Sequence, residues 1–251
     1  MKTLKETGVL FLHYEKLLLR NPFWMIAALF QPVCYLYLFA PLLSNIPGLA
    51  GSSSAINMFT PGLMVILSLF SVMFVGYAMI DYLRSGVIER LRVTTASRTA
   101  LLLGIVLRDV STLIVQALIV ILLALPLGLE ISALGILLSL LMMALIGLCI
   151  SPASYALALA VKSEDALGPI LNFFSQPLLL LSGVLLPLTL APLWLRALSS
   201  ANPIKYAVDA TRAIFNADMS NPAVWQAFAL LLALTALSFF WAMRKMKQAT
   251  A

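Results

Sequence analysis

Apolar positions run along this chain in blocks, and the blocks predict the elements. Predominantly apolar runs cover about 22–43, 57–80, 102–125, 133–161, 168–186 and 223–243. Each is close to the ~20 residues that a helix needs to cross a hydrocarbon core of about 30 Å. The polar positions between them fall into three kinds. Residues 2–20 alternate at helical steps: Lys2, Glu6, His13, Lys16 and Arg20 make a polar stripe, broken only by Val9. Leu4, Phe11, Tyr14 and Leu18 fall on another side, so this segment predicts an amphipathic helix lying in the membrane interface. Pro22 then separates it from the first span, because proline disfavours helix in the residue before it. Ser44 to Ile56 is uncharged and rich in Gly and Ser, a loop pattern. Residues 187–220 are semi-polar and predict two short helices, 192–199 and 203–216, with Asn202 capping the second and Pro203 at its first position.

The fold class expected is an all-α membrane protein. It has six transmembrane helices, an N-terminal amphipathic interfacial helix, and short extracellular re-entrant helices before the last span. The expected units are 1–20, the interfacial helix, and 21–251, the six-helix domain. The latter carries a cytoplasmic coupling loop at 81–104 and an extracellular segment at 187–220. Pro126 to Gly128 ends the third span, and Pro152 offers a kink site in the long fourth.

Composition agrees with a bilayer setting. Of 251 residues, 62% are hydrophobic and 10% charged, where a soluble domain carries about 25% charged residues. The formal net charge of +6 therefore reads as the cytoplasmic bias of basic residues flanking apolar spans, and nucleic acid is not an expected partner. The stretch 81–109 concentrates that charge, with Arg84, Arg90, Arg92, Arg98 and Arg108 beside Asp81, Glu89 and Asp109. With six spans, thirteen of the sixteen Lys and Arg residues fall on one side, which puts both termini in the cytoplasm. Arg196, Lys205 and Arg212 fall on the other. Cys34 and Cys149 both sit in apolar runs, so packing roles are expected, with neither a disulfide framework nor a metal site. No cleavable signal peptide is evident.

Candidate chemistry is sparse. The middles of the six spans carry no charge, and Arg108 and Asp109 are expected about one turn inside a cytoplasmic end. That argues against a proton- or ion-driven carrier. An intramembrane protease would need a base or metal ligands, and the one histidine, His13, lies in the amphipathic helix. No lysine follows a glycine, so no Gly-Lys-Ser/Thr phosphate loop exists, and any ATP must be bound by another chain. No catalytic residue is expected. Asn172 and Gln176, four apart on one helical face, either line a pathway or bond between helices. Within 86–95, Val87, Leu91 and Thr94 share one side with Ile88 adjacent, while Glu89 and Arg92 lie opposite. This short amphipathic helix suits either a groove on a soluble partner or the lipid headgroups.

Two stretches resemble the type-2 ABC transporter permeases. GVIERLRVTTASRTALLLG (86–104) is similar to that family's first cytoplasmic loop. LSGVLLPLTLAPLWLRALSSANPIKYAVDATR (181–212) resembles its C-terminal signature, here Pro187, Pro192, Trp194, Asn202-Pro203, Tyr206, Asp209 and Arg212. Lys205 departs from the small or hydroxyl residue expected there. The branch it looks most like is the daunorubicin-resistance-like exporters of drugs and lipids. The resemblance implies a permease subunit, not itself an enzyme. It would pair with a second permease copy and with nucleotide-binding ATPase subunits that hold ATP and Mg, in a bacterial cytoplasmic membrane. Val87, Ile88, Glu89, Arg90, Leu91 and Arg92 would form the coupling helix. Lys162, Glu164 and Asp165 would make a second cytoplasmic contact, and 187–220 the outer gate. Pro203, Tyr206, Asp209 and Arg212 would be signature residues. A hydrophobic or amphipathic cargo, drug or lipid, fits the uncharged interior. Polysaccharide export and a non-transporting membrane anchor for an ATPase stay open as alternatives.

Overall fold

A computed structural model describes residues 2–19, 30, 33–38, 52–86, 97–184 and 191–249. The described residues are helical throughout, with no strand among them. The elements in order are α1 (Lys2–Leu19), α2 (Ser52–Met73), α3 (Gly76–Arg84), α4 (Arg98–Ala124), α5 (Ala133–Val161), α6 (Glu164–Leu180), α7 (Leu193–Ser200), α8 (Pro203–Phe215) and α9 (Pro222–Ala249).

Four candidate membrane spans lie among the described residues: Ile56–Arg84, Thr99–Leu127, Ala133–Val161 and Pro222–Gln248. The expected first span, 22–43, lies largely outside the described residues. The expected fifth, 168–186, is a helix of 17 residues, α6, that begins earlier and ends at Leu180. At 1.5 Å per residue it is about 25 Å long, short of a full crossing, and Pro169 and Pro177 interrupt its backbone bonds.

α5 is the hub. It is apolar on all sides, as a helix surrounded by others must be, and it packs against α9, α4, α2, α3, α8 and α6. Ser132 caps it by accepting from the Gly135 amide (3.0 Å). α4 starts at a capping Ser97, which accepts from the Ala100 amide (3.2 Å). α8 starts as its sequence predicts, with Asn202 accepting from the Ile204 amide (3.0 Å) and Pro203 at its first position. Exposed apolar side chains such as Leu122, Leu137, Leu232 and Phe240 cover the outer faces of α4, α5 and α9, the surface a lipid-facing bundle presents.

Two features differ from the sequence expectation. The second span is broken: α2 stops at Met73 and α3 restarts at Gly76. α1, expected flat in the interface, runs along the first half of α4. Its Glu6 accepts from the Ser97 amide (3.1 Å), and Glu15 accepts from the Ser111 hydroxyl three to four turns further on. Thr7 and Tyr14 are buried on that side, while Val9, Leu12, His13 and Lys16 face outward.

Candidate functional site

The two ends of the bundle carry the polar chemistry. The proximal end is marked by α1, the close of α3, the start of α4 and the start of α6. The expected coupling-helix residues Val87, Ile88, Glu89, Arg90, Leu91 and Arg92 lie outside the described residues. What flanks them is described. On one side α3 ends at Arg84, whose guanidinium donates to Glu164 Oε1 at 2.6 Å. On the other, Ser97 opens α4 against Glu6. The helices thus extend into the charged stretch from both sides, and only 85–97 remains between them, fewer residues than the expected loop 81–104.

Glu164 and Asp165 sit in the first turn of α6, where carboxylates favour the helix dipole. Lys162 closes α5 with a left-handed backbone (φ 58°). The ion pair from Glu164 to Arg84 therefore fastens the α5–α6 turn to α3.

Deeper in, the structure gathers a polar core. α4 begins at Arg98, so Arg108 and Asp109 lie about 15 Å along it at 1.5 Å per residue. That is about three turns from the helix start, which lies four residues before the expected start of the span at 102. Arg108 donates through Nε (3.1 Å) and Nη2 (2.6 Å) to Asp109 Oδ1. Asp109 Oδ2 accepts from Tyr155 Oη at 2.5 Å and from the Ser151 hydroxyl, both on α5. Arg108 Nη2 also reaches Tyr155 Oη at 3.4 Å. The side chains are 14% and 3% exposed, and Tyr155 is fully buried. A charge pair this deep persists only with its remaining lone pairs satisfied, and here both carboxylate oxygens are. Tyr82 of α3 and Tyr14 of α1 close the cluster, their ring centroids 5.7 Å apart. Burial first, and the neighbouring Tyr82 second, push the Tyr14 phenol up to about 12, so it is a neutral donor at any physiological pH.

The break in the second span is clasped from α5. Ser154 Oγ accepts from the Gly76 amide (3.0 Å) and donates to the Met73 carbonyl (2.6 Å). One hydroxyl satisfies two backbone groups that the interruption frees. The break needs glycine: a Cβ at Gly76 would lie 2.8 Å from both Ser154 O and Ser154 Oγ. α3 is therefore a nine-residue arm, hinged on α5 at one end and tied to Glu164 at the other.

The distal end joins the start of α2, the α4–α5 turn and α8. Asn57 clasps the Glu130 backbone both ways, donating to its carbonyl (3.2 Å) and accepting from its amide (3.0 Å). The signature residues lie here on α8. Pro203 starts the helix, and Tyr206 Oη donates to the Ser200 carbonyl (2.9 Å). Asp209 and Arg212 are half-buried. Burial pushes the Asp209 carboxyl up, against the pull of Lys205 and Arg212. Burial pushes the Arg212 guanidinium down, against the pull of Asp209. Asn172 and Gln176 share an exposed side of α6 with Phe173, and Asn172 Nδ2 donates to the Gly168 carbonyl of its own helix (3.1 Å).

Sequence reasoning missed Ser151, Ser154, Tyr155 and the role of Gly76. Ser151 and Tyr155 are four apart in an otherwise apolar run, a polar pair on one helical face at membrane depth, and that spacing was the available signal.

These features define a polytopic helical membrane protein in which, among the described residues, polar groups tie helices together. The comparisons with known proteins agree. The chain matches the ABC-2 type transporter family over residues 9–216, and it belongs to that family of transport permeases. It is 25% identical over 201 residues to the candidate transport permease ycf38 of Porphyra purpurea, covering 78% of this chain and 69% of that protein. A match of 24% to ycf38 of Cyanophora paradoxa has the same coverage. A 63-residue stretch is 40% identical to the multidrug ABC transporter permease candidate YbhR of Escherichia coli (strain K12), covering 25% of this chain and 17% of that protein.

Proposed function

We propose that this chain is the membrane-spanning subunit of an ATP-driven exporter that moves a hydrophobic or amphipathic cargo, drug or lipid-like, across a bacterial cytoplasmic membrane. ATP and Mg are bound by a separate nucleotide-binding subunit, and two permease subunits share the path. Both termini lie in the cytoplasm. Residues 81–104, with Val87 to Arg92 as the docking helix, take the push from the ATPase; Lys162, Glu164 and Asp165 add a smaller contact. Asn172 and Gln176 face the path, since exposed amides on an embedded helix are poorly served by lipid. Residues 187–220 form the outer gate. The semi-polar composition of 187–220 supports this, as do the exposed Leu193, Trp194 and Leu198 on short α7.

The observation that carries the reading is the arm α3. It connects directly to 87–96, and it is hinged at Gly76 and coupled to the buried cluster through Tyr82. A push on the loop would turn the arm about Ser154 and reach α4, α5 and α1 together. This route suits a chain in which no lysine follows a glycine, so that ATP would be bound by another chain.

The test is to purify the chain with the ATPase encoded beside it and measure ATPase stimulation and vesicle uptake of a lipophilic dye. The double variant Glu89→Ala with Arg92→Ala is expected to keep assembly of the permease and lose at least most of both activities. Full activity in the double variant would refute the docking assignment.

A further inference from the structure

Three buried polar side-chain atoms among the described residues have no hydrogen-bond partner: Thr60 Oγ1, Ser139 Oγ and Arg212 Nε. Only the last belongs to a charged group. Among the described residues Arg212 makes one hydrogen bond, from Nη2 to the Val184 carbonyl at 3.3 Å. Asp209 lies one turn earlier on α8, yet the ion pairs among the described residues are Arg84–Glu164 and Arg108–Asp109. Lys205 shares the face at helical spacing, and its Nζ lies over the Tyr206 ring, 5.6 Å from the centroid. This face of α8 thus presents two cations to one carboxylate. A guanidinium does not give up its proton, so Arg212 holds a full charge with a donor sealed from water and unused, which is costly unless an anion completes it. Beside α8, α7 exposes Leu193, Trp194 and Leu198, an apolar strip on which an acyl chain can lie.

We propose that Arg212, with Lys205 as a second cation, receives the anionic headgroup of an amphipathic cargo, a phosphate or carboxylate, at the distal end of the bundle, while the α7 strip takes its tail. This rests on the export reading and names the cargo's charge. The planar fork of arginine suits a two-oxygen anion. Asp209 holds the empty face closer to neutrality and disfavours a second negative charge.

The experiment is direct binding, independent of any ATPase. Purified permease in dodecyl maltoside is titrated with dodecyl phosphate, inorganic phosphate or dodecyltrimethylammonium, and binding is read as a saturable shift in melting temperature and in tryptophan emission. Dodecyl phosphate is expected to bind saturably and the other two not. Arg212→Gln is expected to weaken binding at least about tenfold, the loss of one charge-assisted hydrogen bond, and Arg212→Lys to recover part of it. Should Arg212→Gln fail to fold, Lys205→Gln serves instead, with a severalfold weakening expected. Unchanged dodecyl phosphate binding in these variants overturns the site. So does an equal response to the cationic amphiphile, which would mark plain detergent adsorption. An equal response to inorganic phosphate would remove the amphipathic cargo. None of these outcomes touches the export reading, which falls only if the complex shows no ATP-dependent transport.

Discussion

Arg108 and Arg212 each have an aspartate close by in sequence, and the fold treats them differently. Asp109 directly follows Arg108, a spacing at which helical side chains do not face each other, yet that pair closes at 2.6 Å. Asp209 precedes Arg212 by three residues, a spacing that does favour pairing, yet no ion pair joins them. The difference is supplied by neighbours. Ser151 and Tyr155 reach across from α5 and fix the Asp109 carboxylate with two donated hydrogen bonds, so Arg108 meets an acceptor already held in place. Among the described residues the hydrogen bond of Arg212 goes to a backbone carbonyl, that of Val184. One arginine is a structural tie, the other a charge left available.

The largest effect should come from breaking the tie. Asp109→Ala leaves Arg108 buried without a counter-charge, which costs about 3–5 kcal/mol. The expected outcome is a purified protein that melts far below the wild type or does not survive extraction. Replacing both partners, Arg108→Met with Asp109→Leu, should recover most of that loss, because the desolvation cost goes with the charges. Arg212→Gln should destabilise little and can raise the melting temperature, since it deletes a half-buried charge that no ion pair holds. A fall for Arg212→Gln as large as that for Asp109→Ala would erase the distinction between the two arginines.

Much of this was legible beforehand, and the limits are instructive. Apolar blocks gave α5 closely, and α7 and α8 lie within a residue of their expected bounds, because Asn202 and Pro203 act within a few residues of where they stand; α9 runs on past the expected end at 243 to Ala249. The break at Met73–Gly76 was not legible. It depends on Ser154, distant in sequence, offering one hydroxyl to two backbone groups, and nothing local to Gly76 announces that. The partners of Arg108 and Asp109 were not legible for the same reason. Charge in a sequence suggests water, and only the partners on α5 show that this charge is paid for inside the bundle. The charged stretch therefore shortens: the helices claim 81–84 and 98–109. Of the candidate site residues, Glu164 lies in the first turn of α6, just after the expected fourth span. Its bond to Arg84 needed the fold.

A middle-sized effect separates the ends at two glycines of the same span. A Cβ at Gly76 would meet backbone, Ser154 O, at 2.8 Å, and backbone cannot swing aside. Gly76→Ala is expected to cost about 1–3 kcal/mol, the range for overpacking, and to blunt ATPase stimulation by stiffening the hinge. At Gly62 a Cβ would meet Val184 Cγ1 at 2.8 Å, a side-chain methyl rather than backbone. Gly62→Ala should cost clearly less by the same thermal melt. Equal losses would show that both ends are packed with equal rigidity.

The smallest effect is at the arm's far end. Arg84 and Glu164 bond at 2.6 Å, but their side chains are 60% and 38% exposed. Exposed pairs contribute about 0–1 kcal/mol, and salt screens them. Arg84→Gln should therefore shift the melting temperature barely, and raising the ionic strength should abolish even that shift. Its effect on coupling is expected to exceed its effect on stability, because the bond joins the arm to the α5–α6 turn rather than holding the bundle together. Measuring both quantities in Arg84→Gln and Glu164→Gln decides the matter. A large thermal loss would make the pair one more structural tie like Arg108–Asp109. Normal melting with weakened ATPase stimulation would show that the proximal end contains a tie that stabilises and a tie that transmits.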